Sequence, residues 1–193
     1  LKGTTVGIMG TSGVGKTKLV NLLLGLLKPT SGSIFVDGID ISKNLKSWQN
    51  NIGYVPQNVI LIDDSLKKNI ALGEEIKNIN DNKINECISE TQLGNFIKDN
   101  THGVDTHVGE LGSRLSGGQK QRIGIARSLY KDPEILLLDE FTNALDNLTE
   151  EKIVNEIKNY SKAKTIIIIS HKLSTLSKCD KIYELTNEGL NLR

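Results

Sequence analysis

Gly10-Thr11-Ser12-Gly13-Val14-Gly15-Lys16-Thr17 decides how this chain is read, because it fits the phosphate-cradling pattern G-x-x-x-x-G-K-[ST] in the right setting. Before it, Thr4-Thr5-Val6-Gly7-Ile8-Met9 has the composition of a short buried strand. After it, Leu19, Val20, Leu22, Leu23, Leu26 and Leu27 recur at helical spacing, and the helix is expected to end near Leu27. Strand, glycine loop and helix gather free backbone N–H groups and the positive end of a helix dipole around one anion. Lys16 can reach the β- and γ-phosphates, and the Thr17 hydroxyl can ligate Mg²⁺. A Gly/Ser-rich turn that merely joins strand to helix would not need the lysine and hydroxyl at the close. The stretch predicts a nucleoside triphosphate site.

The totals narrow the setting. At 193 residues the chain can bury one domain core, with room for a small subdomain. Basic and acidic residues are nearly balanced, 24 against 23, and scattered, so there is no electrostatic case for nucleic acid. Cys87 and Cys179 stand alone, in neither a C-x-x-C nor a metal-ligand pattern, and read as free thiols of a reducing compartment. No apolar run reaches the ~18 residues of a membrane span, and the start lacks a signal-peptide pattern, so the expectation is a soluble intracellular domain.

Working outward, Lys28-Pro29-Thr30-Ser31-Gly32 supplies stop and turn chemistry, Ser33–Val36 alternates as a strand, and Asp37-Gly38 is a turn. Ile52–Val55 is another strand, stopped by Pro56. Several short helices are expected from Ser65 to about Asp99, burying Ile70, Ile84, Cys87, Ile88, Leu93 and Phe96. A polar loop follows to Ser113, then a helix through Tyr130 with Ile123, Ala126 and Tyr130 on one face. Ile135–Leu138 and Thr165–Ile169 are continuous apolar runs, the pattern of parallel strands covered on both faces, with a helix over Thr149–Tyr160 between them. Asp180–Leu185 reads as a last strand. Alternating strands and helices predict an α/β fold with a mostly parallel central sheet. Residues 57–132 interrupt the alternation as a helical subdomain between core segments 1–56 and 133–193.

Asp139-Glu140 ends the apolar strand, at the carboxyl edge where ligands of open α/β sheets bind. Asp139 is placed to hold the Mg²⁺ shell, and Glu140 to polarise a water for attack on the γ-phosphate. Without the phosphate loop these carboxylates would read equally well as a solvated strand end. Ser116 and Gln119 form a capping box, yet a cap alone does not need Gly117 and Gly118 between them. A bare helix N-terminus suits an anion, and two phosphate-seeking helix ends in one subunit suggest two nucleotides shared across a symmetric dimer. His171 follows the Ile-rich strand, and Gln57 follows Tyr54-Val55-Pro56, where it can touch Mg²⁺ or water. His102 and His107 fall in the polar loop and read as solvated.

Taken together, these residues resemble the nucleotide-binding domain of ATP-binding cassette (ABC) proteins. The match runs in the family's order: the phosphate loop Gly10–Thr17, the glutamine loop at Gln57, the signature Leu115–Gln119, the strand ending Asp139-Glu140, the turn Asn143-Ala144-Leu145-Asp146, and the switch histidine His171. The resemblance implies a P-loop NTPase fold in which two domains close head to tail around two ATP molecules. Each ATP would lie between Gly10–Lys18 of one subunit and Ser116, Gly117, Gly118 and Gln119 of the other. It further implies Glu140 as general base, His171 at the γ-phosphate, Thr17, Gln57 and Asp139 around Mg²⁺, and Asp146 linking the two sites. Gln57 would couple the Mg²⁺ site to a partner.

Ile52–Gln57, Asp64–Ile70 and Val108–Gly112 are similar to the exporter and flippase type, with lipid-linked oligosaccharide flippases ahead of multidrug or peptide exporters. The ATPase would then sit at the cytoplasmic face of the inner or plasma membrane, fused behind a transmembrane domain, with Glu110 in the loop facing it. The alternative is a soluble ABC-type ATPase of translation or DNA maintenance. DNA-repair members carry a long coiled coil that is not visible here, and translation members carry two cassettes where this chain holds one. An inactive cassette would lack Lys16, Glu140 or His171, and all three are present. Three departures stand out: Lys18 replaces a usual hydroxyl residue, Asn143 a usual serine, and the family's N-terminal antiparallel strands, with their adenine-stacking aromatic, are expected to be largely missing ahead of Leu1.

Overall fold

The computed structural model describes residues 2–160 and 164–193. In chain order the elements are β1 (Thr5–Met9), α1 (Lys16–Leu23), β2 (Phe35–Val36), β3 (Ile39–Asp40), α2 (Leu45–Asn50), β4 (Ile52–Val55) and α3 (Leu66–Ile70). They continue with α4 (Asp81–Glu90), α5 (Gly94–Lys98), α6 (Gly117–Tyr130), β5 (Ile135–Asp139), α7 (Asn147–Tyr160), β6 (Thr165–Ile169), α8 (Leu173–Leu176), β7 (Lys181–Thr186) and β8 (Gly189–Leu192). The strands N-terminal to Leu1 that the sequence reading addressed lie outside the described residues.

The central sheet has the order β4-β5-β6-β1-β7-β8. All pairs from β4 to β7 are parallel, and β8 closes the edge antiparallel. Its continuous apolar strands are explained by two covered faces. Side chains alternate along a strand, so Leu136 and Leu138 join Val55, Ile166 and Ile168 on one face, while Leu137 joins Ile8, Ile167 and Ile169 on the other. The first face packs against α3, α4, α6 and α7 through Ile70, Ile84, Ile123 and Ile153 in one apolar cluster. The second is covered by α1 through Val20 and Leu24. The residues of 57–132 thus share a core with the sheet. Gly7 allows α8 to close over β1, since a Cβ there would lie 2.8 Å from a Leu176 methyl.

Several boundaries differ from the pattern. Helix α1 ends at Leu23 rather than near Leu27, because Gly25 takes a left-handed φ of 68° and the N–H groups of Leu26 and Leu27 both turn back to the Asn21 carbonyl. Leu26 and Leu27, which keep helical spacing, therefore face solvent. Trp48 Nε1 and Gln49 Nε2 donate to the carbonyls of Leu23 and Leu24, at 2.7 and 3.1 Å, so α2 caps the end of α1. The strand expected over Ser33–Val36 shortens to Phe35–Val36, which pairs with β3 across Asp37-Gly38, both at positive φ as a two-residue hairpin requires. Asp180–Leu185 is not the last strand: β8 follows it. Among the described residues no helix is long and apolar enough to cross a membrane.

Candidate functional site

The sheet order decides which loops meet. Strands β4, β5, β6 and β1 are parallel neighbours, so Gln57, Asp139-Glu140, Ser170-His171 and the loop from Gly10 all emerge at one carboxyl edge. Asp139 is in register with Ile169, and Ile169 with Ile8.

In the loop, Gly13 and Gly15 hold φ of 81° and 108°, a backbone conformation that a side chain would strain, and a Cβ on either would meet no atom within 4 Å. Their role is conformational. Gly10 differs, since a Cβ there would stand 2.9 Å from the Leu185 carbonyl oxygen. Gly15 is the N-cap of α1 and offers no side chain to its first N–H groups, which leaves donors for an anion. Lys16 Nζ folds back onto the loop, donating to the carbonyls of Gly10 and Thr11 at 2.8 and 3.1 Å. Thr11, Ser12, Gly13, Thr17 and Lys18 are exposed, and Val14 is half-buried.

The other half of the edge carries the carboxylates. Burial pushes the Asp139 carboxyl above its ordinary value, the neighbouring Glu140 adds to this, and Lys16 and a hydrogen bond with Tyr54 oppose it. Burial and Asp139 in turn raise the Tyr54 phenol. Glu140 sits at a φ of 49°, with its N–H bonded to the Ile169 carbonyl of the next strand at 2.9 Å. A non-glycine residue in that conformation marks a turn held by its surroundings. Oε2 of Glu140 lies 2.7 Å from Nδ1 of His171 and accepts from Nδ2 of Asn143 at 2.7 Å. Against a carboxylate, the ring nitrogen carries the proton and donates it. Gln57 is exposed just past β4.

The signature residues stand elsewhere. Ser116 and Gln119 make both halves of the capping box, 3.2 Å from Gln119 N to Ser116 Oγ and 2.7 Å from Ser116 N to Gln119 Oε1. Gly117 and Gly118 pack on the turn after β5, where a Cβ on Gly118 would stand 3.1 Å from the Ala144 carbonyl oxygen. Gly118 thus has a packing reason that the sequence did not reveal. Ser116 and Gly117 remain exposed. Asp146 caps α7, accepting from the Thr149 N–H at 3.0 Å.

Sequence reading missed the contacts of four side chains. Asn143 read only as a replacement for a usual serine, yet its amide touches Glu140. Tyr54 read only as a strand residue. Lys172 and Glu150, an ion pair at 2.7 Å behind the His171 turn, carry no local signal because they lie 22 residues apart. His102 and His107 line a polar hollow of about 630 Å³ with Asp63 and Arg114, in the segment ahead of α6. Burial raises the thiols of Cys87, to about 12, and Cys179, to about 11, which makes both poor nucleophiles.

For a divalent ion the edge offers hard oxygen donors: the Asp139 carboxylate, the Thr17 hydroxyl and the Gln57 amide. Among the described residues no cluster of three or more His, Cys, Asp or Glu could hold an ion unaided. A donor set of one carboxylate and neutral oxygens fits Mg²⁺ shared with phosphates, the ion's usual mode, and the charge crowding at Asp139 favours it.

The family profile described as "ABC transporter" matches residues 1–143. An ATP-dependent lipid A-core flippase of Bordetella avium is 39% identical over 184 residues, covering 95% of this chain and 31% of the relative. A putative export ATP-binding/permease protein of Rickettsia typhi is 43% identical over 178 residues, 92% of this chain and 31% of the relative. A solved bacterial Atm1-family ABC exporter with ATP bound superimposes with a TM-score of 0.91 at 38% identity, covering 97% of this chain and 33% of that one. The chain therefore spans about a third of the length of these relatives.

Proposed function

Because the chain belongs to the ABC transporter family, we propose that it is the ATP-binding and ATP-hydrolysing part of an exporter or flippase. The observation that carries this reading is the single sheet edge where the Gly10–Thr17 loop, Asp139-Glu140, His171 and Gln57 emerge from four adjacent parallel strands. The relatives, a flippase and a putative export protein, favour transport over a soluble role in translation or DNA maintenance. The working position would be the cytoplasmic face of a membrane, beside a transmembrane domain fused upstream.

The roles follow from position. Loop N–H groups from Thr11 to Lys18 and the Lys16 ammonium bind the phosphates, Lys16 exchanging its two carbonyl partners for phosphate oxygens. Asp139, Thr17 and Gln57 would hold Mg²⁺, which neutralises charge on the β- and γ-phosphates. Glu140 orients the attacking water and accepts its proton, and His171 steadies the carboxylate while reaching the γ-phosphate. Ser116, Gly117, Gly118 and Gln119 are exposed or half-exposed at a helix N-terminus, and serve the ATP of a second domain in a head-to-tail dimer. Residues 57–132 act as a helical subdomain and 1–56 with 133–193 as the core, and Asp146 lies at the dimer contact.

The test uses the full-length polypeptide. ATP turnover that needs Mg²⁺ and falls about 100-fold or more in Glu140→Gln, with ATP binding retained, is the expected result. Turnover that is undiminished in that variant would sink the role given to Glu140, and failure of the wild type to bind ATP would sink the whole reading.

A further inference from the structure

Glu150, in the first turn of α7, is only 5% exposed. A carboxylate buried so far needs donors, and the structure supplies three: Lys172 Nζ at 2.7 Å, Thr175 Oγ1 at 2.6 Å and Ser174 Oγ at 3.2 Å. Lys172 does more than neutralise it. Its ammonium also donates to the Thr142 carbonyl at 2.9 Å, and the Thr142 and Thr175 hydroxyls lie 3.4 Å apart. Thr142 is two residues past Glu140, and Lys172 directly follows His171. The network therefore spans the turn after β5 and the turn after β6, just behind the contact between Glu140 and His171.

A simple anchor of α7 to α8 would need only the pair of charges. The bond from Lys172 to the Thr142 carbonyl, in the turn that carries Glu140, is what such an anchor leaves unexplained. The contact in front joins a Glu140 side chain that is 13% exposed to a His171 side chain that is 60% exposed, so water competes for the ring and the contact alone does not hold the His171 turn in place. Glu140 holds a left-handed backbone, which persists only where the surroundings over-determine it. We propose that Lys172 and Glu150 are positioning residues that tie the two turns together and so set His171 against Glu140 for ATP hydrolysis. This rests on the function proposed above.

The experiment measures ATP turnover of the full-length polypeptide. Lys172→Met should lower kcat about 10- to 100-fold with little change in KM, the scale of a misplaced catalytic group, and Lys172→Arg should restore most of it. The double variant His171→Ala/Lys172→Met should be no slower than His171→Ala alone, because one residue acts through the other. Should Lys172→Met fail to fold with Glu150 left unpaired, Lys172→Met/Glu150→Gln removes both charges and should fold yet stay slow. Wild-type kcat in Lys172→Met or in the paired variant, or a loss that adds to that of His171→Ala, would overturn the proposal. A wild type that hydrolyses ATP and is silenced by Glu140→Gln, with a normal Lys172→Met, removes this inference alone. A wild type without ATP hydrolysis removes the functional reading and this inference with it.

Discussion

Nδ1 of His171 stands 2.7 Å from Oε2 of Glu140, although 31 residues separate them in the chain. Parallel pairing of β5 with β6 makes this possible, since it sets both strand ends at one edge. The imidazole donates to the carboxylate, so it fixes one oxygen and leaves Oε1 to accept from water. His171→Ala should therefore lower kcat about 100-fold and leave ATP affinity nearly intact, as checked by steady-state turnover beside equilibrium nucleotide binding. A parallel loss of affinity would instead make His171 chiefly a binding residue.

Asn143 reaches the same oxygen at 2.7 Å from three residues along the turn. Its side chain is long enough to do so, which a serine in that place would match only by moving the backbone. Charge-assisted hydrogen bonds contribute about 1.5–3 kcal/mol, less where water competes. Asn143→Ala should accordingly cost about 10-fold in kcat at saturating ATP. An unchanged kcat would mean that the contact is lost before the transition state.

Asp139 sets stability against function. Its folded-state value is raised, by burial first and then by Glu140, so the unfolded chain gives up this proton at lower pH than the folded one. Stability from this group is fully present below the ordinary value of 3.8 and declines as pH rises through the folded value. Asp139→Asn stays neutral throughout. It should melt a few degrees higher than wild type at pH 7, converge with it near pH 4, and lose Mg²⁺-dependent turnover. Thermal melts across that pH range, without nucleotide or metal, check the first two statements.

Strands β5 and β6 were legible because their apolar runs are continuous, as in Ile135–Leu138, whereas the two-residue β3 carries no such run and was not read. The phosphate loop was legible because glycine conformation and a lysine recur at fixed spacing. Helix α1 overran its true end because Leu26 and Leu27 keep the helical spacing past Gly25, whose left-handed backbone decides the matter. Strand β8 was missed because Gly189 and Asn191 dilute an already short alternation. Lys172 and Glu150 were missed for a different reason, since their contact depends on which loops the sheet brings side by side, and no spacing along the chain encodes that. The Asn143 contact is local, three residues from Glu140, and what hid it was the turn that aims the amide at the carboxylate.

Gly124 tests how α6 is seated. It lies mid-helix, where glycine costs about 1 kcal/mol relative to alanine, so its presence calls for a reason in packing. A Cβ there would run into the Val59 side chain, with Cγ1 3.0 Å away and Cγ2 closer still. Val59 packs on the main core cluster and lies two residues past Gln57. Its β-branch leaves few rotamers with which to give way. Gly124→Ala should therefore destabilise by about 1–3 kcal/mol despite the gain in helix propensity, as overpacked sites do. Val59→Ala removes the two methyl groups that collide, so Gly124→Ala/Val59→Ala should recover much of that loss. Denaturant midpoints of the two single variants and the double give the coupling directly. Simple additivity would show that α6 does not press on the glutamine-loop segment. A recovered midpoint with restored turnover would show that the seat of α6 also sets where Gln57 stands.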